Sequence, residues 1–164
     1  MKFKLTILFI FLVIFVFSYF FVSKKIISPS KNAYKATLNN CVDGDTAVFN
    51  IDDEIFKVRF LAINTPENNK EKIEFYGPEA SAYTCKILKE AAIIELEYDG
   101  NSTKTDKYNR HLMWVFADGV LVQKNLVENG YAEIKYIKGK YKYLDELINL
   151  QAHAKRLNKG IWSK

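Results

Sequence analysis

A chain of 164 residues, 49% of them hydrophobic and 26% charged, can bury a core for one domain plus an appendage, and this composition excludes a disordered or collagen-like polypeptide. Its 24 Lys and Arg exceed its 19 Asp and Glu, but Lys2, Lys4, Lys24 and Lys25 precede residue 26 with no acid among them, leaving 20 basic against 19 acidic residues elsewhere. That near-neutral remainder argues against a generic polyanion binder with a broad basic face, so any handling of nucleic acid has to rest on a few well-placed cations.

The first element is the appendage, residues 1–25. Eighteen consecutive uncharged residues, Leu5 to Val22, exceed the apolar core of a usual signal peptide and reach the shortest membrane-spanning helix. No small-x-small cleavage pattern follows directly, so the segment reads as an uncleaved N-terminal hydrophobic helix, with a cleaved secretory signal as the alternative. Under either reading the rest of the chain is exported. Residues 26–33, polar around Pro29, read as a linker, and the folded domain is expected over 34–164.

From Lys35 to Asn64 the sequence KATLNNCVDGDTAVFNIDDEIFKVRFLAIN has β-branched and aromatic runs broken by Asp43-Gly44 and by Asp52-Asp53-Glu54, the pattern of a three-stranded meander. The period then changes. YGPEASAYTCKILKEA predicts a helix with Pro78 in its first turn and Ala80, Tyr83 or Thr84, Ile87, Leu88 and Ala91 on one face. AAIIELEYD and HLMWVFADG return to strand patterning, LVQKNLVENG is a short helix ended by Gly130, and YAEIKYI is a brief strand. In YLDELINLQAHAKRLNKG, Leu144, Leu147, Ile148, Gln151, Ala154 and Leu157 share a helical face and Gly160 supplies the stop. Five principal strands with an inserted helix predict a mainly β, OB-type Greek-key barrel with three packed α-helices, α+β overall. Cys41 and Cys85 are permitted a disulfide in an exported chain, two buried thiols being the plainer alternative. With His111 and His153 they lack the spacing of any compact zinc motif.

Only three arginines, Arg59, Arg110 and Arg156, stand among 21 lysines, so arginine marks positions where a planar, two-donor fork is wanted over a point charge. Arg59 interrupts the apolar run FKVRFLAINTPE, where a charge is costly unless it meets an anion: a phosphate, or an ion pair with Asp45 or Glu67. Asp43 and Asp45 share one turn, and Asn64-Thr65-Pro66-Glu67 ends the strand that carries Arg59. Oxygen ligands from separate strand ends, helped by a backbone carbonyl, suit a hard cation such as calcium better than zinc. A solvated hairpin is the plain alternative for a lone Asp-Gly-Asp.

With VDGDT, VRFLAINTPE, YGPEASAYT, TDKYNRHLMWVFADG and AKRLNKGIWS in this order and at these spacings, the chain resembles the staphylococcal nuclease (thermonuclease) family from about Tyr34 to Ser163. The resemblance implies an OB barrel with helices and a calcium-dependent nuclease acting on DNA, with RNA as a further expectation, single-stranded or in frayed duplex. It implies that Asp45 and the Thr65 carbonyl hold Ca2+, that Glu67 is a general base or water-orienting group, and that Arg59 and Arg110 grip the scissile phosphate. Lys107, Tyr108 and Tyr136 match residues that contact the terminal phosphate or stack near the base. Asn64 stands where the family usually has a second aspartate; its amide oxygen still coordinates calcium, with one negative charge fewer, so a functional but weaker site is expected. Asn109 stands where the family commonly has Gly, and Asn tolerates left-handed geometry. His111, with no histidine or metal-ligand neighbour, is not read as catalytic. A noncatalytic OB-fold module binding nucleic acid through a weakened metal site is the alternative. A membrane is a partner if residues 1–25 stay attached, and no protein partner is implied.

Overall fold

The computed structural model describes residues 27–164. The predicted hydrophobic helix, residues 1–25, lies outside them, and among the described residues no helix is long and apolar enough to cross a membrane.

Five strands close a barrel. β1 (Tyr34–Cys41), β2 (Thr46–Ile51) and β3 (Glu54–Phe60) form the antiparallel meander, with a register shift in β1 between Leu38 and Asn40. After α1 (Gly77–Glu90), β5 (Ile94–Tyr98) pairs antiparallel with both β1 and β6 (His111–Ala117), and β6 closes the ring by parallel pairing with β3. β4 (Ile63–Asn64) and β8 (Glu133–Ile134) form a separate antiparallel pair, and β7 (Val120–Leu121) adds to the free edge of β6. α2 (Val122–Glu128) and α3 (Leu144–Arg156) complete the fold. Strand alternation turns Ala47, Phe49 and Ile51 inward, where they meet Val58, Leu96, Met113 and Val115, all buried. Each such side chain taken from water contributes roughly 1.5–3 kcal/mol.

The helices follow their predicted faces with one departure. Ala80, Thr84 and Leu88 of α1 are buried, as are Leu147 and Ala154 of α3. Ile148 and Leu157, placed on the buried face of α3 by periodicity, are 48% and 51% exposed. That helix covers the barrel with a stripe narrower than the full apolar arc, and its partner α2 is shorter, only seven residues. Residues 27–30, read as linker, pack on the domain: Ile27 is buried, the Ser30 N–H donates to Glu97 Oε2 at 3.1 Å, and Tyr143 Oη donates to the Ser28 carbonyl at 3.2 Å. Cys41 at the end of β1 and Cys85 on α1 form a disulfide spanning 44 residues, so the thiol alternative does not apply. Closing a loop of that length stabilises the fold by about 4 kcal/mol through the unfolded chain.

Candidate active site

Register assembles the site. Arg59 faces Thr46 across the β2–β3 ladder and Leu112 across the parallel β3–β6 ladder. Its two neighbours in the sheet are thus one residue from Asp45 and two from Arg110, at the rim where β3 hands over to β4.

Arg59 is 7% exposed, and its charge is met inside the protein. Nε lies 3.0 Å from Asp45 Oδ1, Nη1 donates to the carbonyls of Phe60 and Ile63 at 2.8 Å each, and Nη2 donates to Asn64 Oδ1 at 3.3 Å. One Nη2 N–H of its five N–H groups is uncommitted among the described residues. The ion-pair reading with Asp45 therefore holds in this state, and the pair with Glu67 does not. A lysine could not fill this position: one ammonium cannot serve two carbonyls, an amide and a carboxylate from that geometry.

Asp45 is 5% exposed. Oδ2 accepts the Thr65 N–H at 2.8 Å and Thr65 Oγ1 at 3.2 Å, while Oδ1 accepts Thr46 Oγ1 at 3.1 Å. Burial raises its pKa to about 6 against the lowering pull of Arg59. Asp43 Oδ1 accepts the Asp45 N–H at 2.9 Å, which shapes the turn. Gly44 is required there by close approach, since a Cβ would fall 2.7 Å from Thr65 Oγ1. Asn64 Nδ2 donates to the Thr65 carbonyl at 3.1 Å, an interaction an aspartate could not make.

Glu67 lies on the exposed rim. Its Oε2 accepts Asn69 Nδ2 at 3.1 Å, and among the described residues it has no hydrogen bond to Asp45, Arg59 or Arg110. Gly77 opens α1 hard against it, because a Cβ would come within 2.2 Å of the Glu67 carbonyl oxygen. The Gly-Pro that starts the helix thus also sets the height of the Glu67 loop.

Arg110 is held by Asp106, a residue that sequence reasoning passed over. Arg110 Nε donates to Asp106 Oδ2 at 2.8 Å, Nη2 lies 2.7 Å from the same oxygen, and Oδ1 accepts the N–H groups of Tyr108 and Arg110. Burial of Asp106 opposes its ionisation, but these bonds and the guanidinium outweigh it and hold its carboxyl below the usual range. Asn109 takes φ 59, the left-handed geometry expected of it. Tyr108, 67% exposed, lies under two cations, with Lys107 Nζ 4.9 Å and the Arg110 guanidinium carbon 5.4 Å from its ring centre. Tyr136, 62% exposed, has the Arg59 guanidinium carbon 5.7 Å from its ring centre. Its φ of 60 is unusual for a bulky residue, a strain with no sequence signal. Each of the two guanidinium groups thus lies by an exposed aromatic ring, and that of Arg59 also holds the buried Asp45 carboxylate.

A family model described as staphylococcal nuclease homologue matches residues 57–164. The chain belongs to the staphylococcal nuclease family. This family member is 35% identical over 137 residues to the SPbeta prophage-derived endonuclease YokF of Bacillus subtilis (strain 168), covering 82% of this chain and 46% of that protein. It is 35% identical over 141 residues to endonuclease YncB of the same organism, covering 82% and 66%. It is 30% identical over 145 residues to the thermonuclease of Staphylococcus hyicus, covering 87% and 83%. The chain thus spans about half to two thirds of the length of the two Bacillus relatives.

The staphylococcal nuclease fold links the Asp45 carboxylate, Thr65 and the Asn64 amide by hydrogen bonds, with the Asn64 oxygen accepting from Arg59 Nη2. Among the described residues no three His, Cys, Asp or Glu side chains converge. The Asp45 carboxylate, the Thr65 carbonyl and the Asn64 amide oxygen are all hard oxygen donors, a set whose chemistry fits a hard divalent cation. The Asn64 amide, turned with nitrogen toward the Thr65 carbonyl, supplies there the positive end a cation would otherwise provide.

Proposed function

We propose that this chain is a calcium-dependent nuclease that hydrolyses phosphodiester bonds of DNA and RNA, in single strands or frayed duplex. The observation that carries the reading is the hydrogen-bonded cluster of Arg59, Asp45, Asn64 and Thr65 at one rim of the barrel, with Arg110 two residues before Leu112, the register partner of Arg59. Family membership and the endonuclease and thermonuclease names of its relatives support it.

Asp45, Asn64 and the Thr65 carbonyl would hold Ca2+, which supplies Lewis-acid polarisation of a phosphoryl oxygen when bound. The other roles belong to this chain's own side chains. Arg110 presents the outer edge of its guanidinium to a phosphate while Asp106 fixes the inner edge. Arg59 offers its uncommitted Nη2 N–H from a rigid, buried mount. Preorganised donors of this kind each stabilise developing charge by about 3–4 kcal/mol. Glu67, exposed and two residues past the Thr65 carbonyl, orients or deprotonates the attacking water. Tyr108 and Tyr136 offer flat faces to the sugar or base, and Lys107 adds charge at the rim. The chain handles polynucleotide with these few cations, so binding falls with salt through a small number of phosphate contacts. The disulfide supports an exported location, with residues 1–25 as anchor or signal, because such bonds persist in oxidising compartments.

Incubation of purified protein with plasmid and with denatured DNA, in millimolar calcium and then in excess chelator, tests the reading. Cleavage in calcium that stops with chelator is expected. Retention of bound strands without any cleavage would instead support a noncatalytic nucleic-acid-binding module.

A further inference from the structure

The turn that carries Asp45 is clamped from outside the barrel. Cys41 is the last residue of β1, and Asp43, Gly44 and Asp45 follow it within four positions. On α1, Cys85 is bonded to Cys41, and the preceding residue, fully buried Thr84, donates from Oγ1 to the Gly44 carbonyl at 2.7 Å. The far side of Gly44 rests on Thr65, which in turn sends its N–H and Oγ1 to Asp45 Oδ2. Apart from the covalent link, the polar hold of α1 on this turn is that one hydroxyl, and a hydrogen bond of this length tolerates a displacement of only about 0.5 Å. Where Thr84 sits over Gly44 depends on where α1 lies along β1, and the adjacent cross-link fixes that.

We infer that the Cys41–Cys85 disulfide and Thr84 are positioning elements for the Asp43–Thr46 turn, so that full activity belongs to the oxidised chain. The inference rests on the nuclease reading for its functional consequence but not for its structural one. Both cysteines are half-buried, within reach of a small dithiol reductant. The S–S bond takes two electrons and two protons from that dithiol, which closes to its own disulfide, and Cys41 and Cys85 remain as thiols.

Amide hydrogen exchange on the full-length chain tests this, oxidised and after dithiol treatment, together with Thr84→Val and Thr84→Ser in the oxidised form. Thr84→Val keeps the cross-link, so it remains informative if reduction unfolds the protein. In the reduced chain and in Thr84→Val the Asp45 and Thr65 amides exchange at least about tenfold faster while the Val115 amide of β6 is unchanged, and Thr84→Ser restores the slow rates. Turnover of the reduced chain falls at least about tenfold below the oxidised chain, with strand affinity changed less. Unchanged exchange at Asp45 and Thr65, an equal acceleration at Val115, or equal turnover of the two forms overturns the inference. Exchange that responds while neither form cleaves supports the positioning role and removes the nuclease reading instead.

Discussion

Arg59 is a structural ion pair in the fold and, under the proposed function, also the cation that meets the phosphate. Its guanidinium ties Asp45, two carbonyls and Asn64 into one buried network, and the N–H it keeps uncommitted is the part a phosphate could use. Arg59→Lys keeps the charge and loses the fork. Turnover is expected to fall about 100-fold or more with KM changed only a few-fold, as steady-state cleavage would show. Equal kinetics would refute the fork's role. Asn64→Asp replaces the amide that caps the Thr65 carbonyl with a second carboxylate. Calorimetry should then show calcium bound about tenfold more tightly, while the calcium-free variant melts at lower temperature because a carboxylate oxygen then faces the Thr65 carbonyl oxygen. Asp106→Asn releases the inner edge of Arg110. Because the folded pKa of Asp106 is lowered, its stabilising contribution is complete above the unfolded value of about 3.9 and lost as pH falls through the folded value beneath it. The variant's melting temperature should therefore depend less on pH over that acid window. A melting temperature that falls with pH as steeply as that of the parent chain would contradict the assignment.

At the scale of elements, how much was legible depended on how local the cause was. The meander, the inserted helix and the two later strands follow from alternation and from Gly-Pro punctuation, which are local. The buried faces of α1 were readable for the same reason. Ile148 and Leu157 were not, since whether a helix buries a wide or narrow stripe depends on its partner, and α2 is short. Asp106 escaped notice because its role is to accept from Tyr108, Arg110 and the guanidinium within one turn, which in sequence is only an acid in a polar loop. The disulfide escaped preference because two cysteines 44 residues apart carry no pairing signal until β1 and α1 are packed together. Replacement of both by serine should lower unfolding free energy by about 4 kcal/mol in denaturant titration, most of it through the unfolded state. A change under about 1 kcal/mol would mean that the unfolded chain is already constrained there.

As a whole molecule, the chain sets a nearly neutral domain behind a lysine-flanked apolar segment, and gathers the proposed site residues at one rim of a closed barrel. At the start of the described residues Ile27 is buried, the Ser28 carbonyl meets Tyr143 and the Ser30 N–H meets Glu97, so this stretch belongs to the barrel wall. Under the proposed function, few phosphate contacts imply a shallow salt dependence of strand affinity, and catalysis comes from geometry more than from bulk charge. The most direct measurement is cleavage of an end-labelled single-stranded DNA in millimolar calcium by the wild-type chain, by Arg59→Ala and by Arg110→Ala, each repeated with chelator. Both substitutions should slow wild-type cleavage by at least about 100-fold while strand retention changes little, and chelator should abolish what remains. Wild-type protein that leaves the strand intact in calcium, or variants that cut at the parental rate, would contradict the account.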